Sequence, residues 1–147
     1  MTEIASGTPV VTEMQVIPVA GYDSMLFNLC GAHAPYFTRN IVILKDSAGH
    51  TGIGEVPGGE GIRQALERSC GLVVGKSIGT YNSILNAIRL TFVSGKAAHQ
   101  ATVHQVTSES EARVLKQPHE INLRMDNVIT AVEAALLDLL GQHLGVP

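Results

Sequence analysis

The chain of 147 residues is 45% hydrophobic and 16% charged, with a mean hydropathy of +0.20, so it can bury the core of one globular domain and is no disordered tail. Ten Lys and Arg against thirteen Asp and Glu give a formal charge of −3, which leaves no basic footprint for nucleic acid or an anionic membrane. Trp is absent and aromatic residues make up 4%, so base-stacking platforms are not expected either.

Cys30 and Cys70 stand far apart and read as small core hydrophobes in a reducing compartment, not as a disulfide framework or a zinc knuckle. Residues 1–7 lack the positive and apolar regions of a secretory signal. The longest uncharged stretch, 24–38, is too short for a membrane span and is broken by Asn28, Gly31 and Pro35. The expected address is the cytoplasm.

In chain order, residues 10–19 are rich in Val, Ile and Thr and predict a strand ended by Pro18 and Gly21. A long loop over 21–39 holds Asn28, Gly31, His33 and Pro35; loops of this length are usually functional or disordered. Strands at 40–45 and 51–55 flank the turn Asp46-Ser47-Ala48-Gly49-His50, in which Gly49 can take positive φ. The three strands should form an antiparallel meander. The second half predicts helices at 61–74, from an N-cap at Thr80 through Ile84, Leu85, Ile88 and Phe92, and at 127–144. The last carries Val128, Val132, Ala135, Leu136, Leu139, Leu140 and Leu144, with Ala131, Ala134 and Leu137 on its flanks. A helix so apolar is central, or its second face meets another domain. Residues 94–125 read as loop, with a turn of helix at 108–116. The fold class is α+β, strands first and helices after.

The chemistry-bearing residues are sparse. Gly52-Ile53-Gly54-Glu55-Val56-Pro57-Gly58 has the outline of a dinucleotide fingerprint, but Pro57 takes the third glycine position and no βαβ unit follows. Gly58-Gly59-Glu60-Gly61 lacks the Lys and Ser/Thr of a phosphate loop and reads as the turn into the first helix. The histidines 33, 50, 99, 104, 119 and 143 make no i, i+4 pair with a third ligand, and His143 suits the end of its helix. Glu133 and Asp138 are expected to be partnered or solvated at the polar edge of theirs. His33 stands apart: it shares a loop with Asn28, Arg39 and Asn40, and imidazole, amide and guanidinium together can bind a polar anion.

Four segments carry a resemblance. Thr8-Pro9-Val10-Val11-Thr12-Glu13-Met14-Gln15-Val16-Ile17-Pro18-Val19-Ala20 resembles the start of glucarate dehydratases of the enolase superfamily. Gly31-Ala32-His33-Ala34-Pro35-Tyr36-Phe37-Thr38-Arg39-Asn40 and Gly52-Ile53-Gly54-Glu55-Val56-Pro57-Gly58-Gly59-Glu60 resemble the same branch. Residues 131–145, with Glu133-Ala134-Ala135-Leu136-Leu137-Asp138 at their centre, are similar to much of the superfamily, which includes mandelate racemase and muconate lactonizing enzyme. The likeness covers 8–92 and 128–147, whereas 94–125 lacks the family's Arg-Gly and Gln-Thr-Phe-Asp cues.

The resemblance implies an N-terminal capping domain, three strands and a helical bundle over residues 1–147, closing over a C-terminal TIM barrel that this chain does not hold. In the family the barrel supplies the acid/base Lys and His and the carboxylate ligands of Mg²⁺, so no catalytic or metal residue is assigned here. The chemistry is removal of a proton beside a carboxylate and loss of a β-hydroxyl as water. His33 matches the family's substrate-contacting histidine and Asn28 a polar residue of the same loop. The expected function is therefore a specificity-shaping cap of a lyase acting on D-glucarate or a related acid sugar, not catalytic alone. The expected partners are the acid sugar, the barrel or a full-length dehydratase, and further copies in a homo-oligomer, without nucleic acid or membrane. The alternatives are a stand-alone binding or oligomerisation module and a regulatory subunit of a separate dehydratase.

Overall fold

The alternation of buried and more exposed residues from Asn40 to Asp46 sets the frame of the molecule. The computed structural model describes residues 7–22, 28–29, 32–33, 36–103 and 118–146, and the side chains of 7–22, 36–92 and 124–146. Among the described residues the strands are β1 (Val11–Tyr22), β2 (Asn28–Leu29), β3 (Ala32–His33), β4 (Tyr36–Asp46) and β5 (Thr51–Pro57). β1, β4 and β5 form an antiparallel sheet with β4 in the middle, and β2 and β3 form a separate small hairpin. On β4 the side chains of Asn40, Val42, Leu44 and Asp46 are buried, and on β5 Gly52, Gly54 and Val56 are. Period two thus turns one face of the sheet toward the core.

Helices α1 (Glu60–Val73), α2 (Tyr81–Val103) and α3 (Pro118–Leu144) cover that face, with a 3₁₀ turn at Ile78–Thr80 before α2. α3 lies between β4 and β5 on one side and α1 and α2 on the other. Its Val128, Ala131, Val132, Ala135, Leu136 and Leu139 are fully buried, while Leu137 and Leu144 stay exposed. The apolar excess of this helix is explained inside the domain: it is the central helix.

Its close approach needs the glycines of β5. A Cβ on Gly54 would overlap the carbonyl oxygen of Ala131 and lie 2.9 Å from its carbonyl carbon; one on Gly52 would lie 2.7 Å from Leu139 Cγ. These glycines serve helix–sheet packing, the role for which a bare backbone is needed. Asp138 and Gln142 then fasten the outer edge of β5. The Ile53 N–H donates to Asp138 Oδ2 at 2.9 Å, and Gln142 Nε2 donates to the Thr51 carbonyl at 2.8 Å and to Asp138 Oδ1 at 2.9 Å. Two side chains one helical turn apart so occupy polar groups that a free strand edge would expose.

The turn between β4 and β5 forms as the sequence predicts, with Gly49 at φ 91°. Asp46 holds it. Its buried carboxylate accepts from the backbone N–H groups of Ala48 and His50, each at 2.9 Å, and meets His50 Nδ1 at 2.9 Å. Burial pushes the Asp46 carboxyl up, but the hydrogen bonds from the His50 ring and the two N–H groups outweigh it, and the net direction is down. A carboxyl lowered on folding adds stability above its unfolded pKa, and that contribution is lost as pH falls through the folded value. Urea unfolding between pH 7 and pH 3 should show stability falling in acid, at about pH 4 and below. Asp46→Asn should be less stable at pH 7 and show a shallower acid slope; an identical slope would remove Asp46 from this role.

Several expectations are corrected. β1 does not end at Pro18 but runs to Tyr22, with Pro18 opposite Asn40. It is an edge strand, where a residue without an N–H is tolerated. Thr80 is not an N-cap: Ser77 Oγ accepts from the Gly79 N–H at 3.3 Å, while Thr80 Oγ1 donates back to the Ser77 carbonyl at 2.8 Å. The stretch read as loop is helical at both ends, since α2 continues to Val103 and α3 opens at Pro118. The turn of helix expected at 108–116 lies outside the described residues, as does Cys30; Cys70 is half-buried on α1. No helix among the described residues is long and apolar enough to cross a membrane.

Candidate functional site

β1 and β4 outrun β5. The last rung shared with β5 is Arg39 opposite Pro57, beyond which Thr38, Phe37 and Tyr36 pair only with Ala20, Gly21 and Tyr22. The result is a two-stranded ribbon reaching about 10 Å past the third strand. At its far end Tyr22 and Tyr36 meet edge to face, with ring centroids 5.3 Å apart and planes at 66°. The Phe37 ring lies over Gly21, where a Cβ would come within 2.7 Å of Phe37 Cε1, and the Arg39 guanidinium sits 5.5 Å from the Phe37 centroid. The β2–β3 hairpin follows in sequence, and its register sets Asn28 directly opposite His33. The two residues chosen from sequence are thus a cross-strand pair. Their side chains lie outside those described.

Below the ribbon a cleft of about 360 Å³ opens between Ala20, Thr38 and Arg39 on the strands and Gly59, Glu60 and Arg63 at the entry to α1. Gly59, at φ 120°, makes the turn into the helix, and Gly58 passes under Thr38 with its N–H donating to the Thr38 carbonyl at 2.9 Å. The charges at the entry to α1 are paired with each other. Arg63 bonds Glu60 through Nε at 2.8 Å and Nη2 at 2.6 Å and also pairs with Glu67. Hydrogen bonds donated by Arg63 and then by Gln64 hold the Glu60 carboxyl down at about 2, and those Arg63 donates to Glu60 raise its guanidinium further above its usual range. Glu60 is therefore ionised at neutral pH and too weak a base to take a proton from substrate.

Arg39 and Asn40, expected to share an anion site with His33, each have a partner of their own in the sheet or the turn after it. Arg39 is bonded to Glu55 Oε1 at 2.9 Å on the open face of the sheet. Asn40, 1% exposed, donates through Nδ2 to the carbonyls of Pro57 and Gly59 at 3.3 and 3.4 Å. It anchors the cleft floor to the turn before α1. Sequence reasoning missed this role, although the β4 alternation that buries Val42 and Leu44 also puts Asn40 and Asp46 on the inner face. It also missed Tyr22 and Tyr36, whose signal is their placement at either end of the segment that holds the hairpin. Among the described residues no three His, Cys, Asp or Glu side chains gather as a group that could hold a metal ion.

No known family profile matches the chain. A probable glucarate dehydratase of Streptomyces coelicolor is 26% identical over 137 residues, which are 93% of this chain and 30% of that protein. An enolase from Mycobacterium smegmatis, solved with tartrate, superposes with a TM-score of 0.67 at 26% identity, over 97% of this chain and 30% of its own. An enolase from Pseudomonas fluorescens, solved with magnesium, potassium and tartrate, shares the fold with a TM-score of 0.70 at 24% identity, over 96% and 31%. This chain spans about 30% of the length of the relatives it matches. The chain has the α+β fold of the enolase-superfamily N-terminal domain, and its homologues are a probable glucarate dehydratase and other proteins of that superfamily.

Proposed function

We propose that the chain is the capping domain of a glucarate dehydratase-like lyase, selecting an acid sugar whose dehydration is carried out by residues outside it. The observation that carries this reading is the ribbon of β1 and β4. It outruns the sheet and bears Asn28 opposite His33, on the end of the domain where the Gly58-Gly59 turn enters α1. The similarity to a probable glucarate dehydratase, and the tartrate found with the Mycobacterium smegmatis relative, support a hydroxy-diacid as substrate class. An imidazole and an amide can hold its carboxylate and hydroxyl oxygens and exclude water as the cap closes. Magnesium, present in the Pseudomonas fluorescens structure, would be held by the part of the protein that this chain does not match. The test is acid-sugar kinetics in a protein joining this chain to that part. His33→Ala should weaken use of D-glucarate without unfolding the domain; unchanged kinetics would sink the role.

A second reading, an oligomerisation module, draws on the open face of the sheet. Ile17, Val19 and Ile53 are exposed there beside half-buried Ile41 and Ile43. Dehydratase activity of the joined protein separates the two readings.

A further inference from the structure

We propose that the Tyr22–Tyr36 pair is a positioning device that fixes the β2–β3 hairpin and so sets where Asn28 and His33 stand. The pair closes the last β1–β4 rung before the segment that holds the hairpin, and both rings are largely exposed, at 67% and 61%. Large aromatic side chains so far outside the core contribute little to it. Their edge-to-face geometry, 5.3 Å and 66°, is instead that of a cross-strand clasp.

The small residues next to the pair show why a clasp is needed. Ala20 and Gly21 on β1 offer almost no side-chain contact across the ribbon, and Phe37 covers the bare backbone of Gly21 on the opposite face. The hairpin itself has strands of two residues each. A ladder that short is not stable alone, and its closure entropy falls when the base of the segment is already held. The rings therefore hold the base, and the register of the hairpin follows from it. The consequence for catalysis rests on the acid-sugar reading above, whereas the positioning itself is measurable on the chain alone.

Amide hydrogen exchange of this chain tests it. Tyr36→Ala and Tyr22→Ala should speed exchange in the β2–β3 ladder about 3- to 10-fold, the worth of one aromatic pair. Tyr36→Phe should restore protection, because the contact uses the ring and not the hydroxyl. Amides between β4 and β5 should stay as protected as before. A hairpin unprotected in the native chain, unchanged exchange in both Ala variants, or loss of protection across the whole sheet would overturn the proposal. In the joined protein Tyr36→Ala should raise KM more than it lowers kcat, and should add nothing in a His33→Ala background. If His33→Ala alone leaves kinetics unchanged, the acid-sugar reading fails while the exchange result still decides the positioning.

Discussion

Gly54→Val is expected to remove about 3 kcal/mol or more of stability, enough to unfold a marginal domain. Overpacking of a core is usually relieved by rotation of a flexible side chain, but here the obstacle is backbone. The new Cβ would overlap the Ala131 carbonyl oxygen, and α3 would have to lift off β5 to admit it. Lifting α3 would also strip the Asp138 and Gln142 bonds from the β5 edge and open contacts around Val132 and Leu136. Gly71→Ala on α1 is the control. Nothing lies within 4 Å of its added Cβ, so it should stabilise by about 0.5–1 kcal/mol. Urea unfolding measures both, and a Gly54→Val loss below about 1 kcal/mol would contradict the packing described.

His33→Ala carries the largest expected effect on function. A hydrogen bond to a charged substrate group is worth about 1.5–3 kcal/mol, which converts to roughly 10- to 100-fold in kcat/KM. Asn28→Ala, removing a neutral donor, should cost about 2- to 10-fold. Both positions lie beyond the last rung shared with β5 and on strands separate from the main sheet, so unfolding curves should not move. Steady-state kinetics and unfolding of the joined protein together measure the pair. Equal losses of activity and stability would point to a structural role instead.

Much of the frame was legible because it follows from periodicity. The Asp46–His50 turn, the antiparallel order and most of the buried face of α3 follow from apolar spacing and one positive-φ glycine, although Leu144 proves exposed and Ala131, read as a flank, is buried. The boundaries were less legible, for local reasons. Pro18 reads as a stop only if its strand is taken as central, and edge position is a tertiary fact. The end of α2 has few apolar residues, so residues 94–103 give no amphipathic signal, although Lys96, Ala97, Ala98 and Ala101 are good helix formers. Gly52 and Gly54 were freed from a nucleotide role by motif logic, but their service to α3 depends on a helix some eighty residues away in sequence, such as Ala131. At the candidate site, the opposition of Asn28 and His33 needed the register of a two-residue ladder. The binding of Arg39 to Glu55 and of Asn40 to two carbonyls needed the third strand and the turn after it.

The most direct measurement is dehydration of D-glucarate in magnesium buffer by two proteins. One is this chain alone; the other joins it to the part of the Streptomyces coelicolor relative that it does not match. A cap that selects substrate and leaves the chemistry to its partner predicts no turnover by the chain alone and measurable turnover by the joined protein, weakened by His33→Ala. Turnover by the chain alone would contradict the account, because the chemistry would then lie within these residues.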